Sequence, residues 1–138
     1  GDGPPRDELE GLIKELNLTE RVKLLGHQND VAQRMTQKHL VVIASRSEGF
    51  SLVMVEALFY ANLFISTEVG AAPELLPDAL LVKEGQLTGK LQHVAAEYEQ
   101  MQSNYNAFVS EHASQLEMPS VAGRYIEYYR SCLTEQRN

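Results

Sequence analysis

Apolar positions recur at different periods along this chain, and each period predicts a different kind of element. Leu9, Leu12, Ile13 and Leu16 fall at helical spacing with Glu8, Glu10, Lys14 and Glu15 between them, which predicts an amphipathic surface helix. Pro4 and Pro5 precede it, Asp7 and Glu8 suit its positive end, and Asn17 can close it. Val22-Lys23-Leu24-Leu25 followed by Gly26 predicts a short strand that runs into a loop. Asp30 is a good cap for a second helix reaching about Thr36.

The centre of the chain reads differently. Residues 40–44, Leu-Val-Val-Ile-Ala, form a continuous apolar run, the pattern of a strand buried on both faces and hence of a parallel sheet. Residues 63–66 and 79–82 are two further runs of this kind, with helical segments at 52–60 and around 73–76. Strand, helix, strand in alternation predicts a Rossmann-like, doubly wound α/β sheet. Beyond Gly85 only helical patterns follow: Leu87, Leu91, Val94, Ala95 and Tyr98 share one face, and Met101, Tyr105, Phe108 and Val109 another. Met118-Pro119-Ser120 breaks the pattern, and Ser120 caps an expected last helix whose Val121, Tyr125, Tyr128, Tyr129 and Cys132 read as core and interface. With no repeat, low-complexity stretch or linker, the expectation is one domain over 1–138, strand and helix alternating in 1–85 and helices alone in 86–138.

Length and charge narrow the chemistry. The 138 residues allow one domain, and 43% hydrophobic with 22% charged residues is a packed composition. Twelve Lys and Arg against 19 Asp and Glu give a net charge of −7, the wrong sign for a nucleic-acid face, so no nucleic-acid partner is expected and any phosphate must be held locally. Cys132 is the only cysteine, which excludes an intrachain disulfide framework and points to a reducing compartment. No apolar run approaches the roughly 20 residues of a membrane span, and no basic leader opens the chain, so a cytoplasmic protein is expected. His27, His39, His93 and His112 show no i, i+4 pairing and no metal site is expected.

One segment carries the candidate chemistry. Residues 45–51, Ser-Arg-Ser-Glu-Gly-Phe-Ser, lead into a helix at 52–59 that is apolar all round except at Glu56. That pattern predicts a helix buried between the sheet and another layer, where an isolated carboxylate costs several kcal/mol unless donors meet it. A ribose diol would meet it, since two hydroxyls can donate to two carboxylate oxygens. Glu48 lies in the loop at the carboxyl end of the 40–44 strand, where open α/β sheets place ligands. Between the carboxylates, the free N–H groups of Gly49, Phe50, Ser51 and Leu52 open a helix and favour a phosphate without basic side chains. Gly49 allows close approach and Ser51 can cap the helix. Plain loop chemistry, with Glu56 paired to an arginine elsewhere, is the alternative reading of the same residues.

This segment resembles the Glu-x7-Glu motif of retaining glycosyltransferases of family four, which have the GT-B architecture. Gly1-Asp2-Gly3-Pro4 is similar to the turn after the second strand of the family's C-terminal domain, residues 22–26 to its third strand and loop, and Val69-Gly70-Ala71-Ala72-Pro73-Glu74 to its Val-Gly-Gly-x-x-Glu loop. The resemblance covers about 1–85. It implies the donor-binding C-terminal half of an enzyme that moves a sugar, with retention, from a nucleotide-diphosphate sugar to a glycan or lipid-linked acceptor. Glu48 would be the catalytic carboxylate on the donor sugar, the 49–52 amides would lie near sugar and diphosphate, Glu56 would hold the ribose, and His27 would sit in a loop approaching the nucleotide. No cofactor or metal is implied. The acceptor site and a basic pair for the diphosphate would come from a missing N-terminal part, and peripheral membrane association of the full-length enzyme stays open. Ser51 and Ala71 stand where the family has glycine, and Tyr60-Ala61-Asn62-Leu63-Phe64 replaces a Gly-x-Pro entry to the next strand. In the resembled strand order 3-2-1-4-5-6, the expected strands are numbers 3, 4, 5 and 6, which predicts a sheet incomplete at its N-terminal side, completed by an upstream part or another chain. The 138-residue piece alone is expected to be inactive, and a non-catalytic GT-B-like binding or interaction module is the alternative function.

Overall fold

A computed structural model describes residues 6–49 and 51–112. The chain divides into two compact units, Gly1–Val31 and Ala32–Asn138. The expected turn at 1–4, Phe50 and the expected last helix from Ser120 lie outside the described residues.

In the first unit, helix α1 spans Arg6–Glu15. Its start is tied by the Arg6 guanidinium, which meets Glu10 at 3.0 Å and donates to the Leu24 carbonyl at 3.2 Å. Its end is closed by Asn17 at φ 55°, as expected: Leu18 N–H reaches the Ile13 carbonyl at 2.8 Å and Asn17 N–H that of Lys14 at 3.1 Å, the paired bonds of a left-handed helix stop. No residue of α1 is buried. The strand expected at 22–25 is not formed; the segment has no ladder partner among the described residues. An apolar run supplies side chains for a strand but not the neighbour whose N–H and C=O groups complete it.

The second unit carries the sheet. After α2 (Val31–Thr36), β1 (Val41–Ile43), α3 (Leu52–Tyr60) and β2 (Phe64–Thr67) come α4 (Ala72–Leu75), a single 3-10 turn at Asp78–Leu80, β3 (Leu81–Val82), α5 (Leu87–Ala96) and α6 (Tyr98–His112). The strands lie in the order β1-β2-β3 and pair in parallel, Val41 opposite Phe64 and Ser66 opposite Leu81. The expected α/β alternation and parallel sheet are therefore present. The run expected as a strand from Ala79 begins instead as the 3-10 turn, because Pro77 in extended geometry delivers Asp78 into a turn closed by Leu80 N–H to the Pro77 carbonyl at 2.8 Å.

Burial centres on β2 and the residue before it: Leu63, Phe64, Ile65 and Ser66 are all fully buried. Helix α6 packs against α3: the Tyr105 hydroxyl lies 3.0 and 2.9 Å from the Ala57 and Leu58 carbonyls in the last turn of α3, where the Ala57 carbonyl also accepts the Ala61 N–H at 2.9 Å. Burial pushes this phenol well above its ordinary pKa, so it stays a donor. Tyr98 donates to the His39 carbonyl at 2.8 Å just before β1. Asn62, in the departure from the Gly-x-Pro pattern, donates from one amide nitrogen to the Thr36 and Lys38 carbonyls at 2.9 and 2.8 Å, closing the end of α2.

One expectation about α3 is corrected. Met54, Ala57 and Leu58 face the interior, but Leu52, Val53, Phe59 and Tyr60 are exposed, and Glu56 stands among them. Among the described residues the helix is covered on one side only. A nearly uniform apolar composition therefore does not by itself place a second layer over a helix.

Candidate functional site

The site grows from the carboxyl ends of the strands, where backbone polar groups lose their ladder partners and side chains must tie the loops down. Thr67 closes β2 and its hydroxyl donates to the Ser45 carbonyl at 2.7 Å, joining the loops after β1 and β2. Ser45 in turn donates from its own hydroxyl to Oε1 of Glu48 at 2.7 Å. The loop after β1 is thus bent back on itself, and Glu48 is half-buried with one oxygen engaged.

The same loop is gripped from β2's side. Gly70 adopts φ 53°, a left-handed geometry that favours glycine. A Cβ at this position would sit 2.6 Å from the Glu48 carbonyl oxygen and nearer still to that of Gly49, so only a hydrogen fits. Next to it, Ala71 N–H reaches the Gly49 carbonyl at 3.3 Å. Two of the sequence markers, separated by about twenty residues, are therefore one structural unit. The role of Gly70 was not read from sequence; a glycine in a loop already singled out was the only signal.

From Ser51 the chain enters α3 with extended geometry, φ −88° and ψ 118°, the N-cap position expected for it. Its hydroxyl makes no capping bond, which corrects the expected side-chain cap. Among the described residues no side chain accepts from the opening N–H groups of this nine-residue helix, whose first turn carries the positive end of the helix dipole. Glu48 and Ser51 line a pocket of about 350 Å³ with Ala44 and, from α3, Val53. Glu56 does not line it. It follows Val53 by three residues on the same helix, with no hydrogen-bond or ionic partner among the described residues, so the buried carboxylate expected from sequence is instead an exposed one. Leu52 is 73% exposed and Gly49 is exposed beside it. His27 belongs to the Gly1–Val31 unit, where its ring nitrogen meets Asn29 at 3.1 Å.

A larger cleft, of about 890 Å³, is walled by residues 44–46, 67–69 and 82–87 at the ends of all three strands. Ala44 and Ser45 border both spaces. No group of three side chains able to hold a metal ion occurs among the described residues. Nor is any described helix long and apolar enough to cross a membrane.

Comparison with known proteins bears on this geometry. The family model described as glycosyl transferases group 1 matches residues 1–103. The N-acetyl-alpha-D-glucosaminyl L-malate synthase of Bacillus anthracis is 37% identical over 76 residues, 55% of this chain and 20% of that protein. The gpi3 subunit of the phosphatidylinositol N-acetylglucosaminyltransferase of Schizosaccharomyces pombe is 30% identical over 141 residues, 98% of this chain and 31% of that one. Among solved structures, HepE of Anabaena in complex with UDP superposes with a TM-score of 0.77 at 26% identity, covering 91% of this chain and 36% of that chain. The fold is that of the GT-B enzymes, and the chain spans between a fifth and a third of the length of these curated relatives.

Proposed function

The chain belongs to the glycosyl transferases of group 1, and on that premise we propose that it is the donor-binding part of a retaining enzyme that takes a uridine-diphosphate N-acetylhexosamine and passes the sugar to a glycan or lipid-linked acceptor. Support for this donor comes from relatives named for N-acetylglucosaminyl transfer and, in Campylobacter jejuni, for N-acetylgalactosaminyl transfer, together with the UDP carried by the Anabaena structure. The observation that supports it most is that a half-buried Glu48 and Ser51, the first residue before α3, line one pocket at the end of β1, with Gly70 packed against the Glu48 and Gly49 carbonyls.

In this reading Glu48, positioned by Ser45, accepts hydrogen bonds from hydroxyls of the donor sugar. The backbone amides at 49–52 take the diphosphate, whose negative charge grows as the sugar departs; donors already aimed at that charge lower the barrier without a protein nucleophile. Glu56 receives the ribose diol. Being exposed and unpartnered, it is desolvated only when the ligand arrives, and two hydroxyl donors then compensate it.

The test is nucleotide binding by the full-length polypeptide. UDP at 100 times its dissociation constant is expected to add about 2.7 kcal/mol of stability, read as a thermal shift. Glu56→Ala is expected to weaken UDP about tenfold, the loss of one charged hydrogen-bonding partner, with the melting temperature of the free protein unchanged. A full affinity in that variant removes Glu56 from the site. No shift with UDP, ADP or GDP leaves the non-catalytic module as the reading.

A further inference from the structure

The Ser45 hydroxyl holds one carboxylate oxygen of Glu48, Oε1, at 2.7 Å, and the other, Oε2, has no partner among the described residues. A carboxylate free to rotate offers its acceptors in many directions, whereas one with an oxygen held presents the other along a fixed line, as recognition of a sugar hydroxyl requires. Ser45 can hold Glu48 only while its own peptide is held. Thr67 does this, donating its hydroxyl to the Ser45 carbonyl at 2.7 Å. Thr67 is itself fixed: it ends β2 opposite Val82 of β3 in parallel register, and the next residue, Glu68, donates its N–H to the Val82 carbonyl at 3.1 Å. It does not line the pocket shared by Ser45, Glu48 and Ser51, so it acts on a molecule there at second hand. The ties from β2 and its following loop therefore hold different groups. Gly70 and Ala71 meet the backbone at 48–49, and Thr67 meets the residue that orients the carboxylate.

We propose that Thr67 is a positioning residue for the donor sugar: through Ser45 it fixes the direction of the Glu48 carboxylate, and so governs how the sugar, rather than the nucleotide, is bound. The role assigned to Thr67 rests on the donor reading above.

The experiment is calorimetric titration of the full-length polypeptide with UDP, UDP-N-acetylglucosamine and UDP-N-acetylgalactosamine, and its readout is the dissociation constant of the tighter sugar nucleotide divided by that of UDP. Thr67→Val keeps the branched shape and loses the hydroxyl; it is expected to raise this ratio about tenfold, the worth of one charged hydrogen bond, and to leave UDP within about twofold. Thr67→Ser is expected to restore the parent ratio. Ser45→Ala should raise it at least as far as Thr67→Val, and the double variant no further than Ser45→Ala, because the two residues act in series. A merely structural loss weakens both ligands alike and leaves the ratio where it was. An unchanged ratio with UDP still bound, a Thr67→Ser variant no better than Thr67→Val, or a double variant whose effects add overturns the proposal and leaves the donor reading standing. A parent that binds UDP but neither sugar nucleotide, or none of the three, sinks the donor reading, and the role of Thr67 falls with it.

Discussion

The two paired strands β1 and β2 differ in what surrounds them more than in sequence. Residues 40–44 and 63–66 are both short apolar runs, yet β2 is buried from Leu63 to Ser66 while β1, at the edge of the described sheet, leaves Val42 38% exposed. Helix α3, which joins them, shares the asymmetry: Met54, Ala57 and Leu58 on its inner face are buried and its last turn is met by Tyr105, while Leu52, Val53, Phe59 and Tyr60 are exposed. Glu48 and Ser51, both proposed to meet the donor, line one pocket with Val42 and Ile43 of β1. The well-packed strand supplies stability, and the thinly covered one leaves room for a ligand, which is how a domain with one core accommodates both.

The most forceful way to probe this contrast is through the core. Phe64→Ala on β2 removes a fully buried ring and is expected to cost about 3–5 kcal/mol in denaturant unfolding. Val42→Ala on β1 is expected to cost under about 1 kcal/mol in the same measurement. Comparable losses would mean that β1 is covered in solution. Next comes the seam between the loops. Gly70→Ala forces a Cβ into left-handed geometry and against the Glu48 and Gly49 carbonyls, for an expected loss of at least about 2 kcal/mol. UDP affinity should fall with it, since the displaced backbone carries the phosphate amides. Retained affinity would detach Gly70 from the site.

A smaller effect tests the long-range tie. Tyr105→Phe removes the hydroxyl that meets the end of α3 and is expected to cost about 1–2 kcal/mol. Because burial raises the folded pKa of this phenol above its unfolded value near 10, its contribution is fully present below about pH 10 and is lost as pH rises beyond it. Stability of the parent chain should therefore fall more steeply above pH 10 than that of the variant. Parallel profiles would show that the hydroxyl is not buried.

What sequence reading reached and missed follows the range of the interactions concerned. The 40–44 run became β1 and the 63–66 run β2 because continuous apolar runs bounded by polar loops decide strands locally. Asn17 closed α1 because its left-handed geometry needs only its own side chain and the preceding turn. Residues 22–25 failed because a strand depends on a neighbour that local sequence does not name. Ser51 was placed correctly at the start of α3, but hydroxyl orientation is set by the loop around it. Gly70 needed knowledge that residues 48 and 49 return to it in space.

Glu56 supplies the smallest expected change in stability and the sharpest distinction between sequence reading and structure. A carboxylate buried in an apolar layer without partners costs several kcal/mol, so replacing it there would stabilise the fold markedly. An exposed, unpartnered carboxylate on the outer face of α3 carries no such cost, and Glu56→Ala should alter the unfolding free energy by no more than about 0.5 kcal/mol. The helix retains its inner contacts through Met54, Ala57 and Leu58, and alanine is a better helix former than glutamate by only a few tenths of a kcal/mol. The same variant should lose UDP affinity, so stability and binding separate at this position as they do between the two strands. A gain of 2 kcal/mol or more would place Glu56 beneath a layer that these contacts do not include, and the outer face of α3 would then be interior in the folded chain.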